Sequence, residues 1–228
     1  MTRISPSKIS CYNTCPLQYS YRYEKKLISI KWDALILWTR YHELVRQYHI
    51  DWNEHRNKIG KEYELLWCYI KNPVKGTILD TEKNIIFIVE LPNGEQVEVN
   101  IILDRIDEDK FIDYKTSSVD YKEEDCKTIQ SLLYVYWGWV TLGKIYPFVF
   151  SVVNKKKIAQ KKYVPQTMKP VVYTEEELKE VPAILQEFLE SVADGKFIAT
   201  PSSRCFGCDF WPQGLNYCKE YKKWIYKK

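Results

Sequence analysis

An α/β sandwich around a mixed sheet is the fold class that this sequence predicts, and three observations predict it. An amphipathic helical segment lies near the N-terminus, β-branched runs separated by turn residues follow, and a long apolar stretch then leads into a further strand. The order helix, three strands, helix, strand buries a sheet between helical layers. With 228 residues and 45% hydrophobic content the chain can bury a substantial core, and it reads as one folding unit.

Each element has a local reason. Ser5 before Pro6 fits a helix start, because serine caps and proline suits the first turn. Cys11 and Cys15 then lie on or just after a short helix, and Pro16 marks a break. From Asp33 to about Arg56, Leu35, Trp38, Val45 and Tyr48 recur at helical spacing on a segment that contains His42. A shorter helix follows from Lys61 to Ile70. Ile85 to Leu91, Gln96 to Asp107 and Phe111 to Thr116 read as successive antiparallel strands, divided by Pro92-Asn93-Gly94 and by Glu108-Asp109. Glu123 to Leu142 has no breaker except Gly138 and reads as one buried helix carrying Gln130 and Tyr134. Ile145 to Val153 is a fourth strand, with Ile158 to Val164 expected to pair with it behind a lysine-rich turn. Thr174-Glu175-Glu176-Glu177 opens a capped helix ending near Gly195, and Pro182 predicts a kink or a shifted start within it. The tail from Thr200 is rich in Cys, Gly and Pro and has no clear period.

Charge narrows the partners only slightly. The count of 34 Lys+Arg against 30 Asp+Glu gives +4, which is mildly basic and does not by itself announce a nucleic acid. Its distribution says more: Lys155, Lys156, Lys157, Lys161 and Lys162 form one cluster, and Lys222, Lys223, Lys227 and Lys228 another, both near tyrosine or tryptophan. Basic side chains follow phosphates and aromatic faces stack on unpaired bases, which suits single-stranded nucleic acid; a solvated lysine-rich surface is the plain alternative. No apolar run approaches the roughly 20 residues that span a bilayer, and the N-terminus lacks a secretory segment, so a soluble, cytoplasmic protein without a membrane partner is expected. Seven cysteines, an odd number, argue for metal or cluster ligation over a complete disulfide framework.

The most informative segment runs from Ile102 to Ser117, ILDRIDEDKFIDYKTS. With Glu108-Asp109 as a tight turn, Ile106 pairs with Phe111, Arg105 with Ile112, and Asp104 with Asp113. Opposed carboxylates destabilise a sheet, so the arrangement asks for a cation. Lys115, two residues beyond Asp113, projects from the same face. Two acids and an ammonium suit phosphodiester hydrolysis, in which oxygen ligands hold Mg²⁺ or Mn²⁺ and lysine offsets developing charge. A surface hairpin with ordinary acids is the competing reading.

The runs DRID, IDYKTS and Gln130-x-x-x-Tyr134, with His42 upstream, resemble the RecB-type branch of the PD-(D/E)XK nucleases. The resemblance covers nearly the whole chain and implies a restriction-endonuclease-like mixed sheet flanked by helices. It implies that His42, Asp104, Asp113 and the backbone carbonyl of Tyr114 bind the metal. Lys115 would be the catalytic lysine, with Gln130 and Tyr134 supporting lysine and DNA from one helix face. Two positions depart from the pattern: Ile102 stands where a glycine is usual, and Trp38 and Tyr41 stand where small residues precede the histidine. His49 and His55 match nothing and read as surface or packing residues.

Cys205-x-x-Cys208 and, nine residues on, Cys218 form a tight group that lacks a fourth thiolate. The N-terminal run SPSKISCYNTCPLQYSYRY resembles the cysteine motif of iron-sulfur RecB-like nucleases, among them the CRISPR-associated exonucleases and the AddB nuclease domain. There the cysteine before proline is the ligand, which implies Cys15. Four thiolates hold a [4Fe-4S] cluster or, alternatively, Zn²⁺. The cluster would join residues 1–32 and 196–228 into a lobe of a single nuclease domain spanning 1–228. Cys11, Cys68 and Cys126 read as packing residues. The function expected is a divalent-metal-dependent DNA exonuclease acting on free ends or single strands in recombination, repair, phage DNA processing or CRISPR adaptation. The alternatives are a non-catalytic nucleic-acid-binding partner subunit of a recombination or adaptation complex and a zinc-stapled structural protein.

Overall fold

Most elements begin where their local chemistry places them. The computed structural model describes residues 2–27, 33–50, 61–71, 73–160, 166–210, 217–218 and 220. After strand β1 (Arg3–Ile4), helix α1 (Pro6–Thr14) starts at the expected cap, with the Ser5 side chain accepting from the Lys8 N–H. Cys15 is its C-cap, and Pro16 opens the short α2 (Pro16–Tyr19), which continues into a π-helical turn at Ser20–Glu24. Helices α3 (Asp33–Ile50) and α4 (Lys61–Lys71) follow. The expected continuation of α3 toward Arg56, together with His55, lies outside the described residues, as do Lys161, Lys162, Lys222, Lys223, Lys227 and Lys228.

Strand β2 (Ile78–Glu90) starts earlier than its β-branched run predicts, and β3 (Gln96–Asp107) has the predicted limits. The turn between them is closed by Leu91 N–H donating to Glu95 O at 2.8 Å. Gly94 takes a φ of +81° there, a conformation in which an L side chain is strained. Strand β4 (Phe111–Ser117) pairs antiparallel with β3 through Ile106↔Phe111 and Arg105↔Ile112, the register expected from the sequence.

The stretch from Glu123 is not one helix. A 3₁₀ turn at Glu123–Cys126 ends at an extended Lys127, and α5 (Ile129–Leu142) starts at Thr128, whose side chain caps Ser131. That reciprocal Thr128–Ser131 cap fixes the start, and Gly143, at φ +67°, ends the helix. Strand β5 (Phe148–Asn154) is buried throughout and runs parallel to β4. Ile158 is not in a strand: the Asn154 carboxamide accepts from Lys156 and Lys157 N–H and turns the chain into α6 (Lys155–Ala159). Residues 161–165 lie outside the description, and the partner of β5 is β6 (Gln166–Thr167), antiparallel to it. Thr174 caps α7 (Glu175–Lys179), and α8 (Val181–Ala193) starts anew with Pro182 in its first turn, which is the shifted start that proline predicts.

The strand order is β1-β3-β4-β5-β6, with β2 also paired to β3, and the sheet is mixed and flanked by helices. The chain forms two compact units, one of Met1–Lys31, Ile88–Val99 and Pro182–Lys228, the other of Trp32–Phe87 and Asn100–Val181. In the second, Tyr41, Leu44 and Val45 of α3 and Leu65, Leu66 and Tyr69 of α4 pack on Ile112, Tyr114, Val149 and Val153. Side chains alternate along a strand, so Asp113 and Lys115 leave β4 on the face opposite Ile112 and Tyr114. In the first unit an aromatic cluster forms around Tyr19, whose ring meets Tyr12, Phe188 and Phe197. Among the described residues no helix is long and apolar enough to cross a membrane.

Candidate active site

The site lies in the second unit, where the recorded β3–β4 pairing stops at Arg105↔Ile112. One step further along that register stand Asp104 and Asp113. Backbone pairing is replaced there by a side chain: Asp104 Oδ2 accepts from Tyr114 N–H at 2.6 Å. This bond fixes the carboxylate and leaves Oδ1 to face His42 Nδ1, 3.4 Å away. Asp104 and His42 are each 6% exposed, and Asp113 is 1% exposed, so water offers little compensation for their polarity.

Helix α5 closes the other side through a continuous polar chain. Lys115 Nζ lies 2.7 Å from Asp113 Oδ2 and donates to Gln130 Oε1 at 3.1 Å. Gln130 Nε2 donates to Asp113 Oδ1 at 2.7 Å and to the Tyr134 hydroxyl at 2.9 Å. The Tyr134 hydroxyl in turn donates to Ile102 O at 2.5 Å. Gln130 and Tyr134 meet because residues four apart are neighbours on a helix face. The Gln130 amide therefore spans acid and ammonium with both its ends engaged, so its orientation is dictated by the network.

Electrostatics reflect the crowding. Burial pushes the Asp113 carboxyl up to about 6; Lys115 pulls it down, and Asp104 pushes it further up. Burial opposes the charge of Lys115, but Asp113 and Asp104 outweigh it and hold the ammonium above its ordinary value. Burial likewise opposes a charged His42, yet the Asp104 carboxylate, with Glu82 and Asp113 adding to it, lifts the imidazole to about 10.

The donor set fits a hard divalent ion. His42 Nε2 is buried without a hydrogen-bond partner. His42 Nδ1 stands 3.4 Å from Asp104 Oδ1 and 3.6 Å from Glu82 Oε1, long for hydrogen bonds. Neighbouring ligands around an octahedral ion at about 2.1 Å are themselves about 3 Å apart, so a small closure suffices. Ligand atoms of His42, Glu82 and Asp104 all lie within 4.8 Å of one another.

Of the residues expected from sequence, His42, Asp104, Asp113, Lys115, Gln130 and Tyr134 converge here. The Tyr114 side chain points to the opposite face, its hydroxyl 3.1 Å from His49 Nε2 and 3.3 Å from the Tyr69 hydroxyl. Ile102, at the usual glycine position, contributes its carbonyl to Tyr134, and Trp38 lies against His42 at 4.2 Å between ring centroids. His49 is a packing residue stacked on Tyr114, as expected.

Two features escaped the sequence reading. Glu82 carries no periodic signal, and its φ of +51° re-aims it from a strand; such left-handed backbone costs an L residue about 1–2 kcal/mol. Arg105 and Asp107, 1% and 0% exposed, form a two-pronged ion pair at 2.6 and 2.7 Å behind the site, with Arg105 also donating to Val74 O and Gly76 O. Their spacing of two on a strand was a legible signal for this second pair.

In the first unit, Cys15, Cys205, Cys208 and Cys218 line one pocket with Tyr21 and Phe210. Cys15 Sγ accepts from Thr200 N–H at 3.5 Å and Cys205 Sγ from Ser202 N–H at 3.3 Å. Burial pushes the Cys208 thiol up, and Asp209, Cys15 and Cys205 add to it. Cys11, whose thiol burial pushes up to about 11, is on α1; Cys68 and Cys126 are buried packing residues.

A mixed sheet that ends in two acids and a lysine, with a helix-borne glutamine and an upstream histidine, defines the class of metal-dependent phosphodiester hydrolases. The sequence model of the PD-(D/E)XK nuclease superfamily matches residues 3–73 and 64–213, and the chain belongs to that superfamily. Nucleases of this superfamily use Mg²⁺ or Mn²⁺ and act on nucleic acid. Among solved structures the chain resembles SSO0001, at 13% identity and a TM-score of 0.55, over 96% of this chain and 87% of that one. It also resembles a candidate exonuclease from Eubacterium rectale, at 16% identity and a TM-score of 0.50, over 82% of each chain. No curated protein matches it in sequence.

Proposed function

We propose that the protein is a divalent-metal-dependent deoxyribonuclease that hydrolyses phosphodiesters at DNA ends, with single strands as substrate. The observation that carries this reading is the unbroken polar chain from Lys115 through Asp113 and Gln130 to Tyr134, set beside Asp104 and His42. Like charges this crowded destabilise a folded chain unless a cation or substrate uses them. A non-catalytic binder has no use for opposed carboxylates beside a negatively charged ligand.

In this reading His42, Asp104, Asp113 and the Tyr114 carbonyl hold Mg²⁺ or Mn²⁺. The bound ion supplies polarisation of the phosphate and a water acidic enough to attack near neutral pH. Asp104 is oriented for ligation by the Tyr114 N–H, and its fixed geometry reduces reorganisation. Lys115, held by Asp113 and Gln130, presents a positive charge to the oxygens that gain charge as water adds to phosphorus and the P–O bond breaks. Tyr134 and Gln130 hold the lysine in register. Support for end-directed cleavage comes from the fold neighbour described as a candidate exonuclease, and support for single strands from the lysines of α6.

The four pocket cysteines complete the proposal as ligands of a [4Fe-4S] cluster that ties residues 1–32 to 196–228 within one nuclease domain. Thiolates in a pocket that supplies N–H donors to sulfur suit such a cluster. Recombination, repair or CRISPR adaptation are the settings in which such an enzyme would work. The test is anaerobic purification followed by Mn²⁺-dependent digestion of end-labelled single- and double-stranded DNA, with Lys115→Ala as control. Degradation from the ends by the wild type and none by the variant is expected; equal digestion by both would remove the active-site assignment.

A further inference from the structure

We infer that Glu82 is a further ligand of the divalent cation, an inference that rests on the metal-dependent reading above. Glu82 lies on β2, 22 residues before Asp104 and 40 after His42, so nothing local brings these groups together. The fold nevertheless puts Glu82 Oε1 3.6 Å from His42 Nδ1, and both within 4.8 Å of Asp104. On the chain around it, Lys83 and Asn84 are exposed, whereas Glu82 is half-buried with 28% of its side chain open. Lys83 turns away to Asp80 at 2.8 Å, so the adjacent cation does not neutralise Glu82.

The second observation is the imidazole between them. His42 is 6% exposed, and its Nδ1 faces Asp104 Oδ1 at 3.4 Å and Glu82 Oε1 at 3.6 Å, longer than an ordinary hydrogen bond to either, so a buried nitrogen is aimed into the cluster without a close partner. Charge agrees: Lys115 is paired with Asp113 and Arg46 with Glu43, and the group that faces both Glu82 and Asp104 at close range is the His42 imidazole. A divalent cation balances two carboxylates and accepts a neutral imidazole nitrogen, and Mn²⁺, which takes carboxylate oxygens readily, is a suitable probe of such a set. The residue therefore belongs to the ion's coordination and not only to the hairpin's surface.

The experiment is titration of Mn²⁺ into full-length, anaerobically purified protein without DNA, followed calorimetrically, for the wild type, Glu82→Gln and Glu82→Asp. Melting in EDTA establishes that each variant is folded. Glu82→Gln is expected to weaken Mn²⁺ binding at least about tenfold, with Glu82→Asp intermediate because its carboxylate is retracted by one methylene. Crystals of the Mn²⁺-loaded wild type should place Glu82 within coordination distance in anomalous maps. Wild-type affinity in Glu82→Gln, or an ion on His42 and Asp104 with Glu82 outside its sphere, overturns this inference alone. A wild type that binds no Mn²⁺ and cleaves no DNA overturns it together with the function proposed above.

Discussion

Lys115 is where a single residue decides most. Its ammonium touches Asp113 and Gln130 and lies 5.7 Å over the Phe150 ring, contacts at the end of the side chain, so Lys115→Ala should lower kcat by about a hundredfold or more while leaving the fold intact. Single-turnover cleavage beside a melting curve checks both halves. His49 carries a separate prediction. Burial, with the Arg105 charge adding to it, lowers its imidazole to about 4 from 6.5. The unfolded chain therefore takes the proton first, so this contribution is whole above pH 6.5 and is lost as pH falls from there toward 4. It amounts to roughly 3 kcal/mol at most. Melting temperature against pH should fall more steeply through that window for the wild type than for His49→Gln; parallel curves would show that His49 does not titrate this way. The parity that put Asp104, Asp113 and Lys115 together was readable in sequence, since strand alternation is strictly local. Glu82 was not, because its backbone breaks that alternation.

At the scale of elements, α5 meets β4 through a glycine. A Cβ on Gly138 would stand 2.9 Å from the Phe111 ring and 3.2 Å from Tyr146. That ring cannot retreat: it is fully buried, stacked on Tyr146 at 4.5 Å and flanked by Trp137 at 5.7 Å. Alanine would gain about 1 kcal/mol of helix propensity but force an overpacked contact that costs about 1–3 kcal/mol. Gly138→Ala should therefore destabilise, and because α5 carries Gln130 it should also lower activity more than its melting shift alone explains. Denaturant unfolding and steady-state cleavage measure the two effects. The caps at Ser5, Thr128 and Thr174 follow from side chains competing for unpaired N–H groups within one turn. The start at Thr128 was hidden in sequence because the acidic run before it also reads as helix; Asn154 likewise converted an expected strand into α6.

For the whole molecule, the cysteines set the expectation. A link from Cys15 to Cys205 closes most of the chain, which in the loop-entropy account is worth about 5 kcal/mol. Anaerobically prepared protein should be brown, and Cys208→Ser should lose both the colour and several degrees of melting temperature, whereas Cys68→Ser, buried among apolar residues, should keep the colour. Iron and sulfide analysis with absorbance spectra decides it: a colourless protein with stoichiometric zinc would replace the cluster, and one without either metal would remove the staple.

Sequence alone determined what short-range geometry encodes: the hairpin register from Ile106 to Phe111, the face shared by Asp113 and Lys115, the helical neighbours Gln130 and Tyr134, and the caps at Ser5 and Thr174. Those follow from a period of two in strands, of 3.6 in helices, and from donors left unpaired at helix ends. Tertiary structure alone decided that Glu82 reaches His42, that Asp104 bonds the Tyr114 N–H, that Arg105 and Asp107 are buried as a pair, and that Cys15 shares a pocket with the tail. Such meetings join residues far apart in the chain, and only the packing of whole elements, which no local period records, fixes the distance between them.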